Sequence, residues 1–141
     1  MIILGIDSGV ERTGYALFEK IVGKETLLDY GCLITKKEDT LSVRLSILQK
    51  EFSNLIEKYH PGAIAIEQLF FSKNQKTAIS VAQSQGVLLA LAGAEKIPIT
   101  FISPLTIKQS VTGYGKSDKK GVAKMIQILL TYCYSLNSRE S

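Results

Sequence analysis

The sequence predicts an α/β domain built on a five-stranded mixed sheet flanked by helices. Three strand-like segments precede any helical pattern, which implies an antiparallel meander. A long amphipathic helix then leads into a short apolar strand, a second helix and another strand. A right-handed crossover of that kind returns the fourth strand parallel to the first. Both of these strands run directly into a carboxylate, Asp7 and Glu67.

Each element follows from its residue pattern. Ile2, Ile3, Leu4 and Ile6 form the continuous apolar run of a central strand covered on both faces, which Asp7 ends. Gly9 and Gly14 permit a turn back into Tyr15, Ala16, Leu17 and Phe18, the second strand. Leu27, Leu28, Tyr30, Cys32, Leu33 and Ile34 read as the third. Leu41, Leu45, Leu48, Phe52, Leu55, Ile56 and Tyr59 recur at helical spacing, and Pro61 and Gly62 stop that helix. Ala63 to Ile66 form the fourth strand, ending at Glu67. Residues Gln68 to Gln75 are expected to form a loop exposing Phe70 and Phe71 beside Lys73 and Lys76. The following helix, from about Thr77 to Glu95, turns apolar nearly all round after Gly86, which implies burial against the sheet and a second body such as a partner subunit.

Ile97 to Ile102 complete the sheet, with Ser103 as N-cap and Pro104 at the first position of a short helix carrying Lys108. Gly113, Tyr114, Gly115 and Lys116 are expected as a flexible basic loop. Ser117 or Asp118 caps a last helix whose Val122, Met125, Ile126, Leu129 and Leu130 face the core.

The chain of 141 residues with 45% hydrophobic content fits one packed domain. Its net charge of +4 is compatible with a nucleic-acid partner without requiring one. Cys32 and Cys133 lie far apart without CxxC spacing, so neither a disulfide framework nor a zinc site is indicated, and a reducing cytoplasm is the expectation. The longest apolar run, Gly86 to Ala94, falls far short of the roughly 20 residues a bilayer span requires. No membrane association is expected.

The chemistry starts from the two carboxylates. A buried carboxylate must be paired, hydrogen-bonded or bound to a metal, and taken alone Asp7 is explained by hydrogen bonds from the turn amides of Gly9 and its neighbours. If the strands lie side by side, Asp7 and Glu67 converge and repel unless a proton or a cation sits between them. Oxygen ligands at a strand edge suit Mg2+ or Mn2+, which points to divalent-metal chemistry on phosphate. The lysines taken alone read as a solvated surface. His60, before Pro61, reads as a helix-end dipole partner and Cys133 as incidental.

The segments GIDSGVERTGYALF, IAIEQLFFSKN, AQSQGVLLALA and Ile107 to Lys124 resemble, in order, the motifs of the RuvC family of bacterial Holliday junction resolvases. The resemblance runs from residue 1 to about residue 130 and implies a ribonuclease H-like fold. It implies a homodimeric, Mg2+-dependent endonuclease that nicks four-way DNA junctions and works with the RuvA and RuvB branch-migration proteins. By position, Asp7 and Glu67 match the first two of four metal-binding carboxylates. Phe70 matches an aromatic residue that acts on bases near the junction centre, and Lys108 and Lys119 match lysines near the scissile phosphate. Phe71, Lys73, Lys76 and Lys116 join them as DNA-binding candidates.

The family pattern continues with a helix carrying Asp-x-x-Asp, whereas this chain reads TYCYSLNSRES after Leu130. That composition predicts a frayed end, and the resemblance, lacking its last helix here, implies a domain incomplete after about residue 130 with apolar surface exposed from Val122 to Leu130. Glu11 and Asp118 match no ligand position of the family. Two alternatives therefore accompany the resolvase reading: a catalytically impaired protein that binds junctions, and a ribosomal RNA-processing nuclease of the same fold.

Overall fold

The computed structural model describes residues 1–69 and 75–138, with 130–138 as backbone. Five strands, β1 (Ile2–Asp7), β2 (Arg12–Ile21), β3 (Lys24–Ile34), β4 (Ala63–Glu67) and β5 (Ile99–Ile102), form one sheet in the order β3-β2-β1-β4-β5. β1, β2 and β3 pair antiparallel, while β4 lies parallel to both β1 and β5. The meander closes at Gly23, whose φ of 77° is a left-handed conformation that glycine takes without the clash a Cβ would bring. Helix α1 (Leu41–Tyr59) supplies the crossover from β3 to β4, and α2 (Gln75–Ala94) that from β4 to β5.

Alternation along the strands gives the sheet two unlike faces. Leu4 and Ile6 of β1 stand beside Leu17 of β2 and Ile64 and Ile66 of β4, all buried. Leu48, Phe52 and Leu55 of α1 and Leu88 and Ala92 of α2 cover them in one continuous core. The spacing of Leu48, Phe52, Leu55 and Ile56 is that of a single helical stripe, so α1 can bury all four at once. Thr40 caps α1, and His60 ends it in a left-handed conformation, φ 47°, with its N–H on the Ile56 carbonyl. α2 is, among the described residues, the one helix long and apolar enough to cross a membrane by length and composition alone. Its Leu88 and Ala92 belong to the core, and its other side leaves Ile79 and Leu89 exposed.

The opposite face carries α3 (Pro104–Thr112) and α4 (Lys119–Ser138). Neither helix has a fully buried residue among the described side chains. Val122 and Met125 are half-buried, while Ile126, Ile128 and Leu129 are exposed. The expectation that Val122, Met125, Ile126 and Leu129 face the core is thus corrected: none is buried, and the sheet residues that share the cleft with Val122 and Ile126 include Gly5, Gly14 and Ala16, which offer no deep apolar seat. Of the surface expected to be exposed from Val122 to Leu130, Ile126, Ile128 and Leu129 are exposed, while the Leu130 side chain lies outside the described residues. The backbone of α4 stays helical to Ser138, past Leu130 where a frayed end was expected. Gly14 also departs from expectation, since it pairs with Asp7 inside β2 and takes no part in the turn.

Candidate active site

The parallel ladder of β1 and β4 pairs Leu4 with Ile64 and Ile6 with Ile66, so Asp7 and Glu67 occupy the next step of adjacent strands. Strands in that relation lie about 4.8 Å apart, and matched positions point to the same face. The two carboxylates therefore meet on the face opposite the main core. Gly14 stands across from Asp7 on the other side, and a Cβ there would be 3.7 Å from the Asp7 Cβ, so the glycine keeps that flank low.

The Glu67 carboxyl is raised above the usual glutamate value. Burial is the main cause, followed by the negative charge of Asp7 and a hydrogen bond with it, and Lys108 and Lys119 act in the opposite direction. A pair in this state takes up a proton or a cation. Hard oxygen donors on two rigid strands fit a divalent cation such as Mg2+ or Mn2+. Among the described residues no third His, Cys, Asp or Glu joins them in a metal-sized cluster. Glu11 pairs with Lys37 at 3.4 Å, and Asp118 is occupied as a helix cap.

Among the described residues no turn amide bonds the Asp7 carboxylate, unlike the explanation that Asp7 taken alone suggests. The Gly9 N–H donates to the Thr13 hydroxyl at 3.5 Å, and that hydroxyl donates back to the Gly9 carbonyl. A Cβ on Gly9 would run into the Arg12 carbonyl oxygen, so steric closeness rather than a positive φ demands glycine here. On the other strand, Gln85 of α2 is buried and its Nε2 donates to the Glu67 carbonyl at 3.2 Å. It ties the end of β4 to the helix that covers the core.

Lys108 and Lys119 approach from α3 and α4. Together with Asp7, Glu67, Gly14, Ile107 and Val122 they line a cleft of about 620 Å3 between the sheet and these helices. The Ser103 hydroxyl accepts from the Thr106 N–H at 3.0 Å, and with Pro104 at the first position it fixes where α3 starts and hence where Lys108 points. Asp118 caps α4 by accepting from the Gly121 N–H at 2.7 Å, which sets Lys119 at the first turn. The loop between them is not the flexible segment expected. Thr112 donates to the Lys108 carbonyl at 2.8 Å, and its oxygen accepts from the Tyr114 N–H at 3.1 Å and from the Ser117 hydroxyl. The two hydroxyls, 2.6 Å apart, stitch the loop closed.

Of the predicted residues, Asp7, Glu67, Lys108 and Lys119 come together. Lys116 is exposed on the α3–α4 loop and Lys76 is exposed on the first turn of α2, both outside the cleft lining. Phe70, Phe71 and Lys73 lie outside the described residues. Residue patterns did not single out Thr13, Gln85 or Thr112, since a lone hydroxyl or amide has no period to betray it, and Ser117 was expected only as a helix cap, the place Asp118 takes. Only the glutamines of AQSQGVLLALA, polar in an otherwise apolar helix, carried a signal.

A sheet of this order, with its helices on both faces and a carboxylate pair at the ends of β1 and β4, is a ribonuclease H-like domain. The family model for the crossover junction endodeoxyribonuclease RuvC matches residues 3–138, and the chain belongs to the RuvC family. RuvC of Petrotoga mobilis is 45% identical over 130 residues, covering 92% of this chain and 80% of that protein. RuvC of Syntrophomonas wolfei is 41% identical over 130 residues, covering 92% and 76%. The solved structure of T. thermophilus RuvC in complex with Holliday junction substrate superposes with a TM-score of 0.84 at 26% identity, covering 93% of this chain and 80% of that one.

Proposed function

We propose that this chain is a structure-selective endonuclease that hydrolyses a phosphodiester in four-way DNA junctions during recombination and repair. The observation that carries the reading is the meeting of Asp7, Glu67, Lys108 and Lys119 at one cleft in a chain of the RuvC family. Asp7 and Glu67 hold Mg2+, with Mn2+ as a substitute, and the family resemblance implies two ions per site. A divalent cation held there supplies Lewis-acid polarisation of the phosphate and a more acidic water. Lys108 and Lys119 bind the non-bridging phosphate oxygens and orient the strand, while the walls of the cleft limit the water that reaches it. Lys76 and Lys116, with Phe70, Phe71 and Lys73, extend the DNA contact beyond the cleft.

The protein acts as a homodimer, so that two sites address two strands of one junction. The exposed side of α2, where Ile79 and Leu89 sit among Ala82, Gly86 and Ala90, supports this reading. RuvA and RuvB are its branch-migration partners in the cytoplasm. Leu89→Glu places a charge at the centre of that side and converts the dimer to monomer in sedimentation equilibrium. A dimer unaffected by this change and by Ile79→Glu would place the interface elsewhere.

The test of function is nicking of a synthetic four-way junction with Mg2+. The parent chain nicks, and Asp7→Asn retains gel-shift binding of the junction but loses cleavage. An Asp7→Asn protein that nicks at the parental rate sinks the site assignment. Junction binding without nicking by the parent would select the binding-only alternative, and preference for RNA would select the ribosomal RNA one. Phosphate contacts through lysine predict that affinity falls steeply with salt.

A further inference from the structure

Apart from its hydrogen bond with Glu67, Asp7 receives none from its own turn among the described residues, so the position from which its carboxylate reaches out is set by the backbone that carries it. That backbone is clamped from two sides. Thr13, fully buried, takes both the N–H and the carbonyl of Gly9. Thr35, 3% exposed just beyond β3, takes the next two carbonyls: its hydroxyl donates to Val10 O at 2.6 Å and its N–H to Glu11 O at 3.0 Å. The Nε–H of Arg44 in α1 donates to the same Thr35 hydroxyl at 2.9 Å.

The direction of these bonds follows from the groups themselves. Arginine Nε is a donor only, and a hydroxyl has a single hydrogen. Arg44 therefore makes the Thr35 oxygen an acceptor on its side and commits the hydroxyl proton to the Val10 carbonyl. The charged donor also polarises the hydroxyl and strengthens the bond it gives. Arg44 stands in the first half of α1, whose Leu48 and Phe52 are sealed in the core, so the relay fastens the Asp7 turn to the best-packed layer of the protein.

We propose that Arg44 and Thr35 are positioning residues that aim the Asp7 carboxylate at its cation. The inference rests on the reading of Asp7 as a ligand. Neither residue touches the cation or the DNA phosphate in this proposal; both act through the turn at residues 8–11.

The experiment is titration of the full chain with Mn2+, the free ion being followed by electron paramagnetic resonance, alongside amide hydrogen exchange. Thr35→Val keeps the shape and removes the hydroxyl; it weakens Mn2+ binding by up to roughly tenfold, the low end of the scale for groups bonded directly to a ligand, because it acts through the turn. Thr35→Ser restores the hydroxyl and with it the parental affinity. Arg44→Met leaves the hydroxyl but frees its proton, giving a smaller loss in the same direction. Exchange in Thr35→Val accelerates at Thr35 and in the turn, while amides of β1 and β4 keep their protection. In junction nicking, the Thr35→Val defect is recovered by raising Mn2+, with junction affinity unchanged.

Parental Mn2+ affinity in both Thr35→Val and Arg44→Met overturns the proposal, as does a Thr35→Ser loss equal to that of Thr35→Val. If Thr35→Val does not fold, Arg44→Met decides the matter, parental Mn2+ affinity there overturning the proposal. Asp7→Asn separates the two levels. Unchanged Mn2+ binding in Asp7→Asn removes Asp7 as a ligand altogether, whereas loss of binding there with parental binding in the Thr35 and Arg44 variants removes only the positioning role.

Discussion

On one face of the sheet Leu4, Leu17, Ile64 and Ile66 are sealed beneath α1 and α2; on the other, Gly5, Gly14 and Ala16 face an open cleft whose far wall is α3 and α4. The contrast separates two jobs. The carboxylates stand on strands whose backs are locked into the core, and Thr13, Thr35 and Gln85 tie their ends to it. The lysines stand on helices without a deeply buried anchor, held instead by caps and by the Thr112–Ser117 stitch. In the proposed site the cation ligands need fixed geometry, whereas the lysines are long point charges that can follow a phosphate. Small residues beneath α3 and α4 leave room for a strand, and the same smallness denies those helices a core.

The comparison can be broken by substitution on each side. Phe52→Ala removes the largest fully buried side chain, and urea unfolding should record a loss of about 3–5 kcal/mol. Lys108→Met belongs to the other wall: the nicking rate on a junction falls on the order of a hundredfold while the urea midpoint stays at the parental value. A large stability loss there would show that α3 is anchored more firmly than its exposure implies. Ile126→Ala, at a position 41% exposed, should change stability by less than about 1 kcal/mol.

The smallest effect concerns pH. Tyr15 ionises above the ordinary tyrosine value because it is partly buried and lies beside Asp29, which also accepts from Tyr59 at 2.8 Å. The folded protein thus keeps the Tyr15 proton at a pH where the unfolded chain has lost it. Below pH 10.0 both states hold the proton and the group leaves stability unchanged; as pH rises past that value the unfolded chain ionises first and stability falls. Tyr15→Phe should flatten the alkaline limb of a plot of melting temperature against pH. An identical slope in both proteins would assign the limb to other groups.

Much of the architecture was legible before any coordinates. The apolar run of β1, the single stripe on α1 and the repeated pattern of a short strand ending in an acid specified the mixed sheet and the meeting of Asp7 with Glu67. Those features are local and periodic, and the right-handed crossover leaves little freedom in how they combine. The expected seat for α4 failed because periodicity reports which side of a helix is apolar and not whether anything deep lies opposite. The Asp7 turn was misread for a related reason. Glycine, serine and a carboxylate in succession suggest a self-contained turn, yet the partners of that turn are Thr13 and Thr35, the latter a whole hairpin away.

The sequence by itself determined the order of strands and helices, the two carboxylates at strand ends and the family motifs that join them to Lys108 and Lys119. Only the tertiary structure decided what holds those groups. A hydrogen bond between residues 25 apart, or between Gln85 and the end of β4, depends on which backbone groups the fold leaves unpaired, and that is settled after the elements have packed.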